Sequence, residues 1–156
     1  MSDTELSLHR VLSAPRDAVW RAWADPDLLA EWFVPRPWRA EIAEYAFEPG
    51  GAFVTIMHGP DGERMEAGGC ILAVDPGARL VWTNALAGGW RPVASDMAFT
   101  ATITLTDAGQ GTDYSCRLVH ADAEGCARHA EMGFHEGWGA ALTQLEEVAQ
   151  RIAAAD

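Results

Sequence analysis

The last third of the chain constrains the fold most. An alternating strand, Met97 to Leu105, a turn and a second strand, Thr112 to His120, feed one long amphipathic helix. That helix is expected to begin near Ala123 or Glu124 and to run to about Ala153. At about 100° per residue, Ala130, Phe134, Trp138, Ala141, Leu145, Val148 and Ile152 share one stripe, while Glu136, Glu147 and Gln150 face away. Such a helix is too long to be covered by its sequence neighbours, so its apolar face must lie across a sheet built from the rest of the chain. A curved sheet gripping it leaves a cavity. Gly133, Gly137 and Gly139 each cost roughly 1 kcal/mol inside a helix relative to Ala, so close backbone approach or room for a ligand beside Trp138 is expected in compensation.

Upstream, residues 5–12 read as a short strand with Leu6, Leu8 and Leu12 on one face. Ser13 is expected to cap a first helix, with Asp17 in its first turn and Val19, Trp20 and Trp23 on its apolar side. Asp25-Pro26 breaks that helix and starts a second, through Leu28, Leu29 and Trp32, which Pro35 and Pro37 end. Residues 38–48, 52–58, 64–74, 79–84, 97–105 and 112–120 carry strand signals separated by turn chemistry such as Pro49-Gly50-Gly51 and Gly59-Pro60-Asp61-Gly62. The pattern predicts an antiparallel meander. Residues 85–95, with Gly88-Gly89-Trp90, read as a longer, mobile loop.

A length of 156 residues fits one domain over 1–156, large enough to bury a core without staples. Cys70, Cys116 and Cys126 have no zinc or redox spacing and read as reduced, buried residues. With 11 Lys and Arg against 23 Asp and Glu, the net charge of −12 repels phosphate backbones and anionic bilayers. The expected partners therefore exclude nucleic acid and membranes, and the polar, acidic start predicts a cytoplasmic address. Homodimerisation is compatible with every functional reading.

Particular strings sharpen the fold. Residues 14–23 (APRDAVWRAW) with Asp25-Pro26 and Glu31-Trp32-Phe33, together with Pro49-Gly50-Gly51, Gly59-Pro60-Asp61-Gly62, Val74-Asp75-Pro76, Leu80-Val81-Trp82 and His135-Glu136-Gly137-Trp138, span nearly the whole chain. They resemble bacterial proteins named for homology to the heat-shock protein 90 ATPase activator. The resemblance implies an α+β helix-grip fold of the START-like (SRPBCC) superfamily. In it a curved antiparallel sheet of about seven strands wraps a long C-terminal helix, with two short helices after the first strand. That superfamily encloses an apolar cavity between sheet and helix. It includes lipid and hormone carriers, polyketide cyclases and aromatases, and the co-chaperone domain, so fold alone selects no activity.

Parity then nominates the cavity residues. Met97, Phe99, Ala101, Ile103 and Leu105 should face the helix, and Tyr114, Cys116, Leu118 and His120 point together on the next strand. Phe53, Thr55 and Met57 share a face, as do Leu80 and Trp82. With Met65, Met97, Phe99 and Trp138 they are expected to wall a pocket for an apolar or aromatic molecule, the alternative being a filled core. Trp32, Phe33, Trp38 and Trp90 lie on segments expected near its mouth, or equally on a surface for self-association. His120, Tyr114 and His135 are the candidate polar anchors, with a hydrogen-bonded margin histidine as the simpler account of His120. Glu131 and His135, with Asp122, Glu124 and His129 nearby, invite a metal, but the spacing lacks a second histidine, so no metal or cofactor is expected. The expected function is binding of a small hydrophobic or aromatic molecule. The alternatives are a cyclase- or hydrolase-type enzyme using the same cavity and a chaperone-linked interaction module.

Overall fold

In the computed structural model, which describes residues 3–155, strand alternation decides which face of the sheet meets the helices. Seven strands form one antiparallel sheet: β1 (Glu5–Leu12), β2 (Arg39–Tyr45), β3 (Ala52–His58), β4 (Arg64–Asp75), β5 (Arg79–Thr83), β8 (Phe99–Ala108) and β9 (Gly111–His120). Their spatial order is β1-β9-β8-β5-β4-β3-β2, a meander whose first strand joins beside the last. On β9 Tyr114, Cys116, Leu118 and His120 are all buried, as are Ala101, Ile103 and Leu105 on β8. Register shifts between Ile42 and Glu44 on β2 and between Ile71 and Ala73 on β4 bend the sheet into a trough.

Between β1 and β2 lie α1 (Arg16–Ala24) and α2 (Pro26–Trp32), which pack on the long helix. Asp25 caps α2, its carboxylate accepting the Asp27 N–H at 2.9 Å. Ser13 does not cap α1. Pro15 occupies that position, pre-set in φ, and the Ser13 N–H instead donates to Glu146 at 2.6 Å. Residues 85–95 differ from the expected loop, because β6 (Leu86–Ala87) and β7 (Arg91–Pro92) pair as a small hairpin. The Gly89 N–H ties it to the Gly50 carbonyl at 2.7 Å.

The expected single C-terminal helix is two: α3 (Ala123–Glu131) and α4 (Phe134–Ala155). Gly133 makes the break. Its φ of +92° is a left-handed conformation open to glycine, and its carbonyl accepts the Gly137 N–H at 2.8 Å, so it ends α3 and starts α4. Ala130, placed on the apolar stripe by a continuous helix, is exposed. From Leu145 to Ile152, α4 lies on a filled core with Leu12, Leu80, Ile103 and Leu105. Its first turns do not. Among the described residues no helix is long and apolar enough to cross a membrane.

Candidate functional site

Under the first turns of α4 the core opens into a cavity of about 460 Å³. Each wall comes from a different stretch of chain: Trp32, Phe33, Val34 and Pro35 from the end of α2 and beyond, Phe53, Thr55 and Met57 from β3, and Trp82 from β5. Phe99 of β8, Tyr114 and Cys116 of β9, and His129, Phe134 and Trp138 of α3 and α4 complete it. Met65, 55% exposed, and Met132, 68% exposed, stand where it meets solvent. Glycine supplies room: a Cβ on Gly68 or Gly137, both wall residues, would meet nothing within contact range.

Aromatic rings dominate. Trp82 and Trp138 lie parallel within 6°, centroids 6.2 Å apart, and Trp138 also meets Phe134 at 5.2 Å and Phe99 at 6.5 Å. Trp23 joins the wall, edge-on to Trp32 at 4.9 Å and tilted against Trp82 at 5.4 Å. Of the residues nominated by sequence, Trp32, Phe33, Phe53, Met57, Met65, Trp82, Met97, Phe99, Tyr114 and Trp138 lie on the wall. Trp38 and Trp90 do not, Trp90 being folded over Gly50 instead. His135 is exposed, its ring against the flank of Phe134 at 5.0 Å, because it follows Phe134 directly and points off the buried stripe. His120 is buried but stands one layer behind the wall.

The polar atoms of the wall are few, and most are engaged. Asn84 donates to the Met97 carbonyl at 3.0 Å and accepts the Phe99 N–H at 2.8 Å. Thr55 donates to the Ala67 carbonyl at 3.5 Å. The Tyr114 hydroxyl accepts the Trp23 indole N–H at 3.1 Å, and burial pushes its ionisation well above the ordinary phenol value. Burial also pushes the Cys116 thiol up to about 12. His129 Nδ1 lies 2.9 Å from His120 Nε2, and His120 Nδ1 lies 3.0 Å from the Thr4 carbonyl. Burial first, and His120 second, lower His129 to about 4, so it is neutral near pH 7. No Asp, Glu, Arg or Lys stands among the described wall residues. Nor do three or more described His, Cys, Asp or Glu gather to hold a metal ion.

Residues 13–150 match the model of the family described as Activator of Hsp90 ATPase homolog 1-like protein. The chain belongs to that family. A crystal structure of a protein from Nitrosomonas europaea is similar over 99% of both chains at 40% identity, with a TM-score of 0.93. One from Chromobacterium violaceum shares 28% identity over 95% of this chain and 98% of its own, TM-score 0.75. An AHSA1-like protein from Aeromonas hydrophila, at 16% identity over 95% of this chain and 93% of its own, shares the fold at a TM-score of 0.66. No curated protein matches the chain significantly.

Within this Activator of Hsp90 ATPase homolog 1-like domain, sequence reasoning missed two residues that shape the site. His129 falls off the stripe of a continuous helix, yet the residue is only 8% exposed and its ring faces Phe99 at 5.6 Å. Gln144, which the sequence reading leaves unassigned, is buried, its amide donating to the Trp32 and Val34 carbonyls at 3.1 and 2.8 Å. Its place on the flank of the apolar stripe, three residues after Ala141 and four before Val148, was the available signal for Gln144.

Proposed function

We propose that the chain binds a small hydrophobic or aromatic molecule in the cavity between the sheet and α4. The carrying observation is the space itself, about 460 Å³ walled by indole, phenyl and thioether groups, within the span of about 300–1,000 Å³ usual for small-molecule pockets. Apolar burial supplies affinity, and the few free polar atoms set orientation. A cyclase or hydrolase in the same cavity would need there a nucleophile, or a base whose pKa is matched to neutral pH. Tyr114 and Cys116 are held protonated, no carboxylate stands among the described wall residues, and His129, lowered to about 4, is a weak base, which favours binding over that chemistry.

Thermal unfolding in the presence of an apolar and aromatic compound library tests the reading. A ligand at about a hundred times its Kd adds roughly 2.7 kcal/mol, a rise of several degrees for a chain this size. Trp82 and Trp138 emission should respond to the same compounds. A library that raises no melting temperature and perturbs no tryptophan signal refutes the proposal.

A further inference from the structure

The histidine pair behind the cavity is ordered by simple donor and acceptor logic. The Thr4 carbonyl only accepts, so His120 Nδ1, 3.0 Å away, carries the proton. In a neutral imidazole the other nitrogen is then a lone pair, so His120 Nε2 accepts and His129 Nδ1, 2.9 Å away, donates. His129 Nε2 is left bare. It has no partner among the described residues, and no buried side-chain nitrogen or oxygen there lacks one, so this atom reaches open space. His129 is a wall residue, clasped by Phe99 at 5.6 Å, Phe134 at 5.3 Å and Trp138 at 6.4 Å, which fixes the ring.

The other polar side chains of the wall sort by the same reasoning. Asn84 and Thr55 are committed to backbone partners. The Tyr114 hydroxyl accepts from Trp23 and keeps its own proton to give. No Arg or Lys stands among the described wall residues to offset an anionic guest. We propose that His129 Nε2, set as an acceptor by the chain from Thr4 through His120, anchors the cavity's guest, and that this guest is a neutral aromatic bearing a hydroxyl group. This rests on the ligand-binding reading and names its chemical class. His120 is a positioning residue: it holds the tautomer and orientation of His129 without touching the guest.

Equilibrium dialysis with naphthalene, 2-naphthol and 2-naphthoate tests it. The wild-type chain should bind 2-naphthol about fivefold more tightly than naphthalene, the return on one hydrogen bond, and 2-naphthoate most weakly. In His129→Phe the ratio of naphthol to naphthalene affinity should fall to about one, whatever the absolute affinities. A preference that survives in His129→Phe, or tightest binding of naphthoate, overturns the anchor. Naphthalene binding with no gain for naphthol overturns the anchor alone, whereas binding of none of the three counts against the ligand-binding reading itself. Nitrogen-15 NMR of the wild-type imidazoles needs no variant: 2-naphthol should move the His129 Nε2 resonance, and a bound naphthol that leaves it in place refutes the assignment.

Discussion

A glutamine that is only 5% exposed has to spend its amide on something, and Gln144 spends all of it on the segment after α2. Its two donors go to the Trp32 and Val34 carbonyls and its oxygen accepts the Arg36 N–H at 2.9 Å, pinning the stretch that carries Phe33 and Pro35 over the cavity. Gln144→Leu should cost about 2–4 kcal/mol, since three backbone groups lose their partner, and urea denaturation measures it. A loss below half a kcal/mol would show that the segment holds itself. At His129 the effect is pH dependence. Folding lowers its pKa from 6.5 to about 4, so the unfolded chain binds more protons between those values. The stabilisation is full above about pH 6.5 and is lost as pH falls toward 4, by at most roughly 3 kcal/mol. An NMR titration of the His129 ring should show a midpoint near 4, and a midpoint near 6.5 contradicts the burial argument.

Two glycines of the C-terminal helices should respond to the same substitution with opposite signs. Gly133→Ala forces a side chain into the left-handed region and should destabilise by about 1–2 kcal/mol. Gly137→Ala meets no neighbour at its Cβ and should stabilise α4 by up to about 1 kcal/mol while narrowing the cavity. Paired melting curves and an apolar-ligand titration read both; equal losses would mean that α4 bends at Gly137 as well. The elements also show what could be read from the chain. Period-two alternation placed β8 and β9 with the correct face inward, which brought Phe99 and Tyr114 to the wall. The break at Gly133 was not readable, because the stripe from Phe134 to Ile152 projects smoothly back through it and a glycine carries no sign of its φ. That one dihedral hid His129. Stepping back at about 100° per residue puts it roughly 140° from Phe134, yet the two rings stand 5.3 Å apart.

For the molecule as a whole, the surplus of acidic groups sets the response to salt. The ion pairs that bridge elements, such as Arg117 with Glu5 and Arg151 with Glu31, are largely exposed and individually weak. Repulsion among the remaining carboxylates at a net charge of −12 should outweigh them. Raising sodium chloride from about 10 mM to about 200 mM is therefore expected to raise the melting temperature by a few degrees; a fall would show that the bridging pairs dominate. At this scale the order of elements and the grip of sheet on helix were legible, since strand parity and turn residues repeat along the whole chain. The extent of the hollow was not, because volume depends on how side chains from stretches far apart in the chain meet. One consequence follows from the parallel indoles of Trp82 and Trp138. Two indoles this close couple through their strong far-ultraviolet transitions to a degree set by their separation and in-plane twist, so a dichroism couplet in that band is the expected optical report on whether the space between sheet and helix keeps its width.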